Sequence, residues 1–226
     1  MAKVTKNENE AIRQENIAEK VSQADLFYNE NKKLIWGIAV AVVLIGAGIL
    51  AYSKFIYQPK CAEAMQQAYP AEQAFESASY EEALDGDGNF SGLADIIREY
   101  GAKAGKAIYL EAGISALQLG RFEDAVGYLK KYDGKEPLLA ARALACLGDA
   151  YVGLEDYQAA LSSYLKAAAV HDDDFAAAYL LKAAGVYEKL GEKAKALDCY
   201  LKIKDRYPNS IEGYDIDKYI ARAEAQ

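Results

Sequence analysis

The chain has 226 residues, of which 52% are hydrophobic and 27% charged, so most of it is expected to fold. It contains 4 prolines and 3 widely spaced cysteines, which favours helix and argues against a disulfide framework or a zinc site. The net charge of −8 is uneven, because residues 1–60 carry +2 and residues 61–226 carry −10. An acidic main portion repels phosphate backbones, so nucleic-acid binding is not expected.

Residues 1–33 are polar and carry charges of both signs. Within them, "IRQENIAEKVSQADLFY" places apolar residues near helical spacing. Two interpretations stay open, an amphipathic helix on a membrane or a partner, and a partly ordered tail. The apolar positions are Ile17, Val21, Ala24 and Phe27.

An uncharged segment, "LIWGIAVAVVLIGAGILAY", occupies residues 34–52. At 1.5 Å per residue, these nineteen residues reach across a hydrocarbon core of about 30 Å, which predicts a transmembrane helix in contact with lipid. Aromatic and basic residues at both ends are typical of membrane interfaces. The predicted anchors are Lys32, Lys33, Trp36, Tyr52, Phe55 and Tyr57.

The basic residues around this segment predict its direction. Six Lys or Arg precede it in residues 1–33, and two follow it in residues 53–86. Because the more basic flank stays on the cytoplasmic side, residues 1–33 are predicted to be a cytoplasmic tail. In a bacterium, the larger portion would then lie in the periplasm.

The second half of the chain repeats itself. Three segments align: "YLEAGISALQLGRFEDAVGYLKKY", "LACLGDAYVGLEDYQAALSSYLKAA" and "LLKAAGVYEKLGEKAKALDCYLKIKDRYP". Ala125, Ala160 and Ala196 fall 35 and 36 residues apart. This order of small and aromatic residues resembles the tetratricopeptide repeat (TPR), whose period is about 34 residues. The resemblance implies three helical hairpins over residues 106–208.

The spacing of small and large residues has a physical reason. Small residues in both helices let the backbones approach, and the large residue four places after the second one is expected to fill the next groove. One hairpin cannot bury its apolar face, so the hairpins are expected to stack into a solenoid with a concave side. The small residues are Gly113, Gly148 and Ala184 in the first helices and Ala125, Ala160 and Ala196 in the second.

Both ends of a solenoid need caps. "AEQAFESASYEEAL" and "SGLADIIREYG" each indicate a helix, so residues 53–105 are predicted to form a juxtamembrane helix and an atypical hairpin. "IEGYDIDKYIARAEA" predicts a capping helix within residues 209–226, with Ser210 as its N-cap. The predicted fold is all-α, with one N-terminal transmembrane helix followed by a TPR α-solenoid with capping helices.

The stretch "LDGDGNFSGL" resembles a calcium loop. An EF-hand loop beginning at Asp85 would need glycine where Phe90 stands and glutamate where Ile96 stands. A structural turn is therefore the favoured interpretation. Gly86 and Gly88 are expected to adopt positive φ there, and Phe90 to pack into the cap.

The sequence indicates no catalysis. It has one histidine, His171, before three aspartates, and no nucleophile motif, P-loop or HExxH motif. We expect His171 to be a solvated residue in the turn between the second and third repeats. No enzyme activity, cofactor or metal is predicted.

TPR domains usually bind proteins through the inner face of their first helices. The repeat register assigns seven residues to that face. An alternative for the first three is that they pack on the preceding cap. The candidate groove residues are Leu110, Ile114, Leu117, Asp149, Val152, Leu181 and Glu188.

A short tail, one span and an acidic TPR domain together resemble the YfgM-like ancillary subunits of the SecYEG translocon. The sequences of the segments "GDAYVGLEDYQAAL" and "RYPNSIEGYDIDKYIARA" resemble those of single-pass TPR proteins of Bacteroidetes. The resemblance implies a non-catalytic scaffold in the bacterial inner membrane. Its implied partners are translocon subunits and periplasmic chaperones or exported clients.

Two other functions stay open at this point. The first is a structural subunit of another envelope complex, for secretion or outer-membrane assembly. The second is an organelle import receptor, which the charge bias disfavours.

Overall fold

The computed structural model divides into two compact units, Met1–Gln58 and Pro59–Gln226. The structure describes residues 20–23, 25–170 and 173–225, together with the secondary structure of residues 2–19 and 24. The side chains of Ile17 and Ala24, and all of His171, therefore lie outside the described residues.

The first unit is helical. Helix α1 spans Ala2–Tyr52 and is followed by a π-helical turn at Ser53–Tyr57. Large apolar side chains of α1 are exposed, with exposed fractions of 68% for Val43 and 71% for Leu50. This helix therefore does not bury its apolar segment within its own unit.

The second unit consists of helices, and its described residues form no strand beyond one isolated antiparallel bridge between Gly86 and Ser91. A short 3-10 helix, Gly101–Ala104, precedes the repeats. The helices are α2 (Gln58–Glu76), α3 (Tyr80–Asp85), α4 (Leu93–Tyr100), α5 (Ala107–Gln118), α6 (Phe122–Leu129), α7 (Pro137–Gly153), α8 (Tyr157–Val170), α9 (Asp174–Lys189), α10 (Lys193–Arg206), α11 (Ile211–Tyr214) and α12 (Ile216–Glu224).

Each predicted repeat is a pair of helices joined by the same turn. Gly120, Glu155 and Gly191 adopt φ of 71°, 59° and 75° at equivalent places between the two helices. The next N–H donates to the carbonyl five residues earlier, which is the Schellman arrangement that ends many helices. These bonds are Arg121 to Ala116 (2.8 Å), Asp156 to Tyr151 (2.9 Å) and Glu192 to Tyr187 (2.9 Å).

The large residues of the second helices pack against the small residues of the first helices in their own repeat, and Tyr164 also lies in the buried cluster that contains the third repeat. A Cβ added at Gly148 would lie 2.5 Å from Cε1 of Tyr164. A Cβ added at Gly113 would lie 2.5 Å from Cγ of Leu129. The absence of a side chain on the first helix therefore makes the space that the large residue occupies.

The core has two clusters of buried side chains. One involves residues of α2–α7, including Leu84 and Ile96, and the other involves residues of α8, α9, α10 and α12, including Tyr200 and Ile203. These four side chains are at most 1% exposed. Many of the remaining core residues are alanines, which allow neighbouring helices to approach closely.

The N-terminal cap differs from the predicted hairpin. The segment "AEQAFESASYEEAL" is not one helix, because α2 ends at Glu76 and α3 begins at Tyr80. Ala78 adopts φ 61° between them. The hydroxyl of Ser77 donates to the carbonyl of Gln73 at 2.9 Å, which helps to end the first of the two helices.

The C-terminal cap is also divided. Ser210 is the N-cap as predicted, and its Oγ accepts a hydrogen bond from the N–H of Gly213 at 3.0 Å. The single helix predicted after it is wrong, because Asp215 separates α11 from α12 with φ −106° and ψ 4°. The break lets Ile216 and Ile220 reach the core, where they are 2% and 8% exposed.

Candidate partner-binding groove

An apolar groove of about 490 Å³ lies across the first helices of the three repeats. It involves α5, α7 and α9 together with the end of α2. Its lining residues are Phe75, Ala107, Leu110, Glu111, Ile114, Leu138, Leu139, Arg142, Phe175 and Tyr179.

The groove has a buried part and an exposed part. Leu110 and Ile114 are each 6% exposed. Phe175 is 57% exposed, and Leu138 and Leu139 are 38% and 40% exposed. Exposed apolar side chains grouped around a cavity are typical of a surface that binds another molecule.

Glu111 is the acidic residue of the groove. Its Oε2 atom is buried and has no hydrogen-bond partner among the described residues. Burial is the main cause that raises the pKa of this carboxyl to about 7, and the charges of Glu72 and Glu76 add to the effect. Arg142 also lines the groove, but it does not supply a partner for this oxygen.

The structure brings two of the seven predicted groove residues, Leu110 and Ile114, into this groove. Leu117 packs against the first core cluster, and Val152 and Leu181 pack against the second. These three side chains are half-buried and do not line the cavity.

Asp149 lies in a polar contact between two repeats. Its Oδ1 accepts a hydrogen bond from Oη of Tyr164 at 2.6 Å, and both of its oxygens lie 2.7 Å from Nζ of Lys182. Burial and then the Asp149 carboxylate raise the pKa of Tyr164 well above its ordinary value. Asp149 therefore connects α7, α8 and α9 within the protein.

Glu188 repeats this arrangement at the C-terminal end. Its Oε1 accepts a hydrogen bond from Oη of Tyr200 at 3.0 Å. Nη2 of Arg222 lies 3.0 Å from each of its oxygens. Burial and the hydrogen bond to Glu188 raise the pKa of Tyr200 to about 12. The contact joins the third repeat to the cap helix α12.

The carboxylates of the turn that resembles a calcium loop already accept hydrogen bonds within the protein. Asp85 accepts hydrogen bonds from Nη1 and Nη2 of Arg121 at 2.9 and 2.6 Å. Asp87 accepts hydrogen bonds from the backbone N–H groups of Asn89 and Phe90 at 2.8 and 3.1 Å. The two carboxylates therefore hold the turn and its neighbour.

The backbone of this turn agrees with the structural interpretation. Gly86 and Gly88 adopt φ of 82° and 88°, as predicted. Phe90 packs against the first core cluster. Within residues 20–23, 25–170 and 173–225, no group of three or more His, Cys, Asp or Glu side chains is placed to hold a metal ion.

The predicted membrane anchors are exposed. The described residues contain one helical stretch, Lys20–Glu76, that is long and apolar enough to cross a membrane by length and composition, and its most apolar window is not buried. The exposed fractions of the aromatic anchors are 58% for Trp36, 54% for Tyr52, 73% for Phe55 and 40% for Tyr57. Lys32 and Lys33 are also exposed.

Several groove residues were missed by the repeat register. Phe75 lies on α2, outside the repeats, and Phe175 lies in the first turn of α9. The sequence does contain a signal for Glu111, because this residue is the charged one within the apolar run "YLEAGISAL".

Comparison with known proteins agrees with this architecture. A family model for the tetratricopeptide repeat matches residues 178–210, which cover most of the third repeat. A search of curated proteins found no match. Among solved structures, the chain is similar to the crystal structure of MamA, a TPR-type protein, with 20% identity and a TM-score of 0.56. The alignment covers 74% of this chain and 83% of MamA, and at this identity it concerns the fold alone. The chain therefore contains a tetratricopeptide repeat and has an all-helical fold similar to that of a TPR protein.

Proposed function

We propose that the protein is a membrane-tethered scaffold for protein–protein interaction in the bacterial inner membrane. In this proposal, residues 34–52 span the membrane, residues 1–33 lie in the cytoplasm, and the repeats lie in the periplasm. The scaffold is an accessory subunit of the Sec translocon that couples it to periplasmic chaperones or exported clients. It is not an enzyme.

The observation that carries the scaffold proposal is the groove. It has a volume of about 490 Å³ and presents Phe175 and Leu139 to solvent. Covering apolar surface stabilises a complex by about 25 cal/mol per Å², so these side chains favour a bound partner. A TPR-type fold supports a protein as that partner, since TPR domains typically bind proteins.

The membrane part of the proposal is supported by α1. Its uncharged segment of residues 34–52 has exposed apolar side chains along its length, and a membrane would cover them. The aromatic side chains near both ends would lie at the level of the lipid headgroups. The translocon part is supported by the resemblance to the YfgM-like subunits.

Affinity purification after crosslinking in native membranes tests the proposed partner. We expect Sec subunits to be recovered with the wild-type chain. Phe175→Ser should reduce the periplasmic proteins recovered, because it removes an exposed apolar group from the groove. Ile211→Ser is the matched control, since Ile211 is 87% exposed and lies outside the groove. Recovery of another envelope complex without Sec subunits would favour the alternative of a structural subunit of that complex.

The proposed direction has a separate test. Protease added to spheroplasts should degrade the repeats while the cytoplasmic tail stays protected. A repeat domain that stays intact until the membrane is permeabilised would contradict the periplasmic location.

A further inference from the structure

The groove contains a carboxylate oxygen that lacks a hydrogen-bond partner among the described residues. Oε2 of Glu111 is buried without a hydrogen-bond partner. An ionised carboxylate removed from water is costly unless it is paired and hydrogen-bonded. A bound molecule that donates a hydrogen bond to this atom would therefore gain more here than at the protein surface.

The neighbouring charges indicate the chemistry of that donor. Glu72 and Glu76 lie on α2, and their negative charges act on Glu111. Arg142 also lines the groove, but it does not pair with Oε2 of Glu111. A neutral donor would satisfy the oxygen but leave the repulsion between the carboxylates unchanged. A cationic donor would do both, and hydrogen bonds between charged groups are about twice as strong as neutral ones.

The walls of the groove restrict the donor further. Leu110 and Ile114 lie on the same helix as Glu111, and Leu139 and Phe175 are exposed on the facing helices. A free cation or a small amine would leave these apolar side chains uncovered. The occupant must therefore carry its positive charge among apolar groups.

We propose that the groove selects protein segments that present a lysine or arginine between apolar side chains, with the cationic group paired to Glu111. The proposal rests on the proposed function, because it names the chemistry of the partner that the same groove would bind. In this proposal, Glu111 determines which protein segments bind, and the apolar side chains of the groove supply the affinity.

The test compares three labelled peptides that differ at one position. Each is a 16-residue alanine and leucine peptide, with arginine, glutamate or glutamine at its centre. Binding is measured by fluorescence anisotropy to the full chain in phosphatidylcholine nanodiscs, with empty nanodiscs subtracted. Neutral lipid avoids an electrostatic preference from the membrane.

We expect the wild-type chain to bind the arginine peptide about tenfold more tightly than the glutamine peptide, as one charged hydrogen bond would give. Glu111→Gln should remove most of that preference. Phe175→Ser should weaken all three peptides by a similar factor. A thermal melt of each variant checks that it is folded.

Equal binding of the three peptides, or a preference that survives Glu111→Gln, would overturn the proposal. Failure of the arginine peptide to bind would also overturn it. These outcomes are distinct from failure of the proposed function, which is measured by the proteins recovered from native membranes.

Discussion

The carboxylate of Asp149 connects two successive repeats, because it accepts a hydrogen bond from Tyr164 of its own repeat and forms an ion pair with Lys182 of the next. Glu188 has the same two kinds of partner one repeat later. Both acidic residues that were expected to face a partner thus already have contacts inside the protein. Among the described residues of the groove, Glu111 has a buried carboxylate oxygen, Oε2, without a hydrogen-bond partner.

The first prediction concerns this connection. Asp149→Ala should lower the free energy of unfolding by about 1–3 kcal/mol, because the buried hydroxyl of Tyr164 loses its acceptor. Asp198→Ala is the control, since Asp198 pairs with Lys202 on an exposed face and such pairs contribute at most about 1 kcal/mol. Denaturant unfolding of both variants measures the difference. An equal loss in the two would show that the contacts of Asp149 add no more stability than an exposed ion pair does.

The second prediction uses two helical glycines, Gly148 on α7 and Gly185 on α9. Gly148→Ala should destabilise the protein by about 1–3 kcal/mol, because its Cβ would meet the buried ring of Tyr164. Gly185→Ala should stabilise it by about 1 kcal/mol, because nothing lies within 4 Å of the added Cβ and alanine favours helix. Thermal melts that shift in opposite directions would confirm the packing. Equal shifts would contradict it.

The third prediction concerns the turns within the repeats. Glu155 occupies the left-handed position that glycine holds in the other two turns. Glu155→Gly should stabilise the protein by about 1 kcal/mol, because glycine adopts positive φ without a steric cost. Gly191→Ala should destabilise it for the same reason. If Glu155→Gly instead loses stability, the glutamate side chain stabilises the protein by more than its positive φ costs.

The fourth prediction concerns pH. The pKa of Glu111 in the folded protein is about 7, above its ordinary value of 4.5, so the folded state holds this proton more tightly than the unfolded state does. Its favourable contribution is therefore fully present below pH 4.5 and is lost as the pH rises through 7.

Thermal melts at several pH values from about 5 to about 8 test this linkage. Glu111→Gln should lose less stability across this range than the wild type, by an amount on the order of 1 kcal/mol after allowance for screening by solvent. Glu123→Gln, an exposed change on α6, should follow the wild type. A Glu111→Gln curve parallel to the wild type would contradict the shifted pKa.

The fifth prediction concerns the turn at residues 85–93. Phe90→Ala should lower the melting temperature, because Phe90 packs against the first core cluster. Added calcium should leave the melting temperature of the wild type unchanged, since Asp85 is bound to Arg121 and Asp87 to its own loop. A calcium-dependent rise would restore the metal-site interpretation.

Sequence spacing predicted the repeats well because each repeat uses local features. Small residues at a fixed step set the approach of the helices, and equivalent turns follow each first helix. The cap segments were less predictable. Nothing in "AEQAFESASYEEAL" is a strong helix breaker, and the interruption arises where Ala78 adopts positive φ.

The groove was predictable only in part. Leu110 and Ile114 follow from the repeat register, whereas Phe75 comes from a helix before the repeats. The cationic partners of Asp149 and Glu188 lie 33 and 34 residues away along the chain, so stacking decides whether these carboxylates form ion pairs or stay available. The pattern of residues in a single sequence does not predict these ion pairs.

Site-specific photocrosslinking in native membranes tests the central claim that this groove binds proteins. A photoreactive phenylalanine derivative at position 175 should give crosslinks to Sec subunits, periplasmic chaperones or exported clients. The same derivative at position 211, which is also exposed, should give few or none. Crosslinks from position 211 with none from position 175 would contradict the groove as the binding surface.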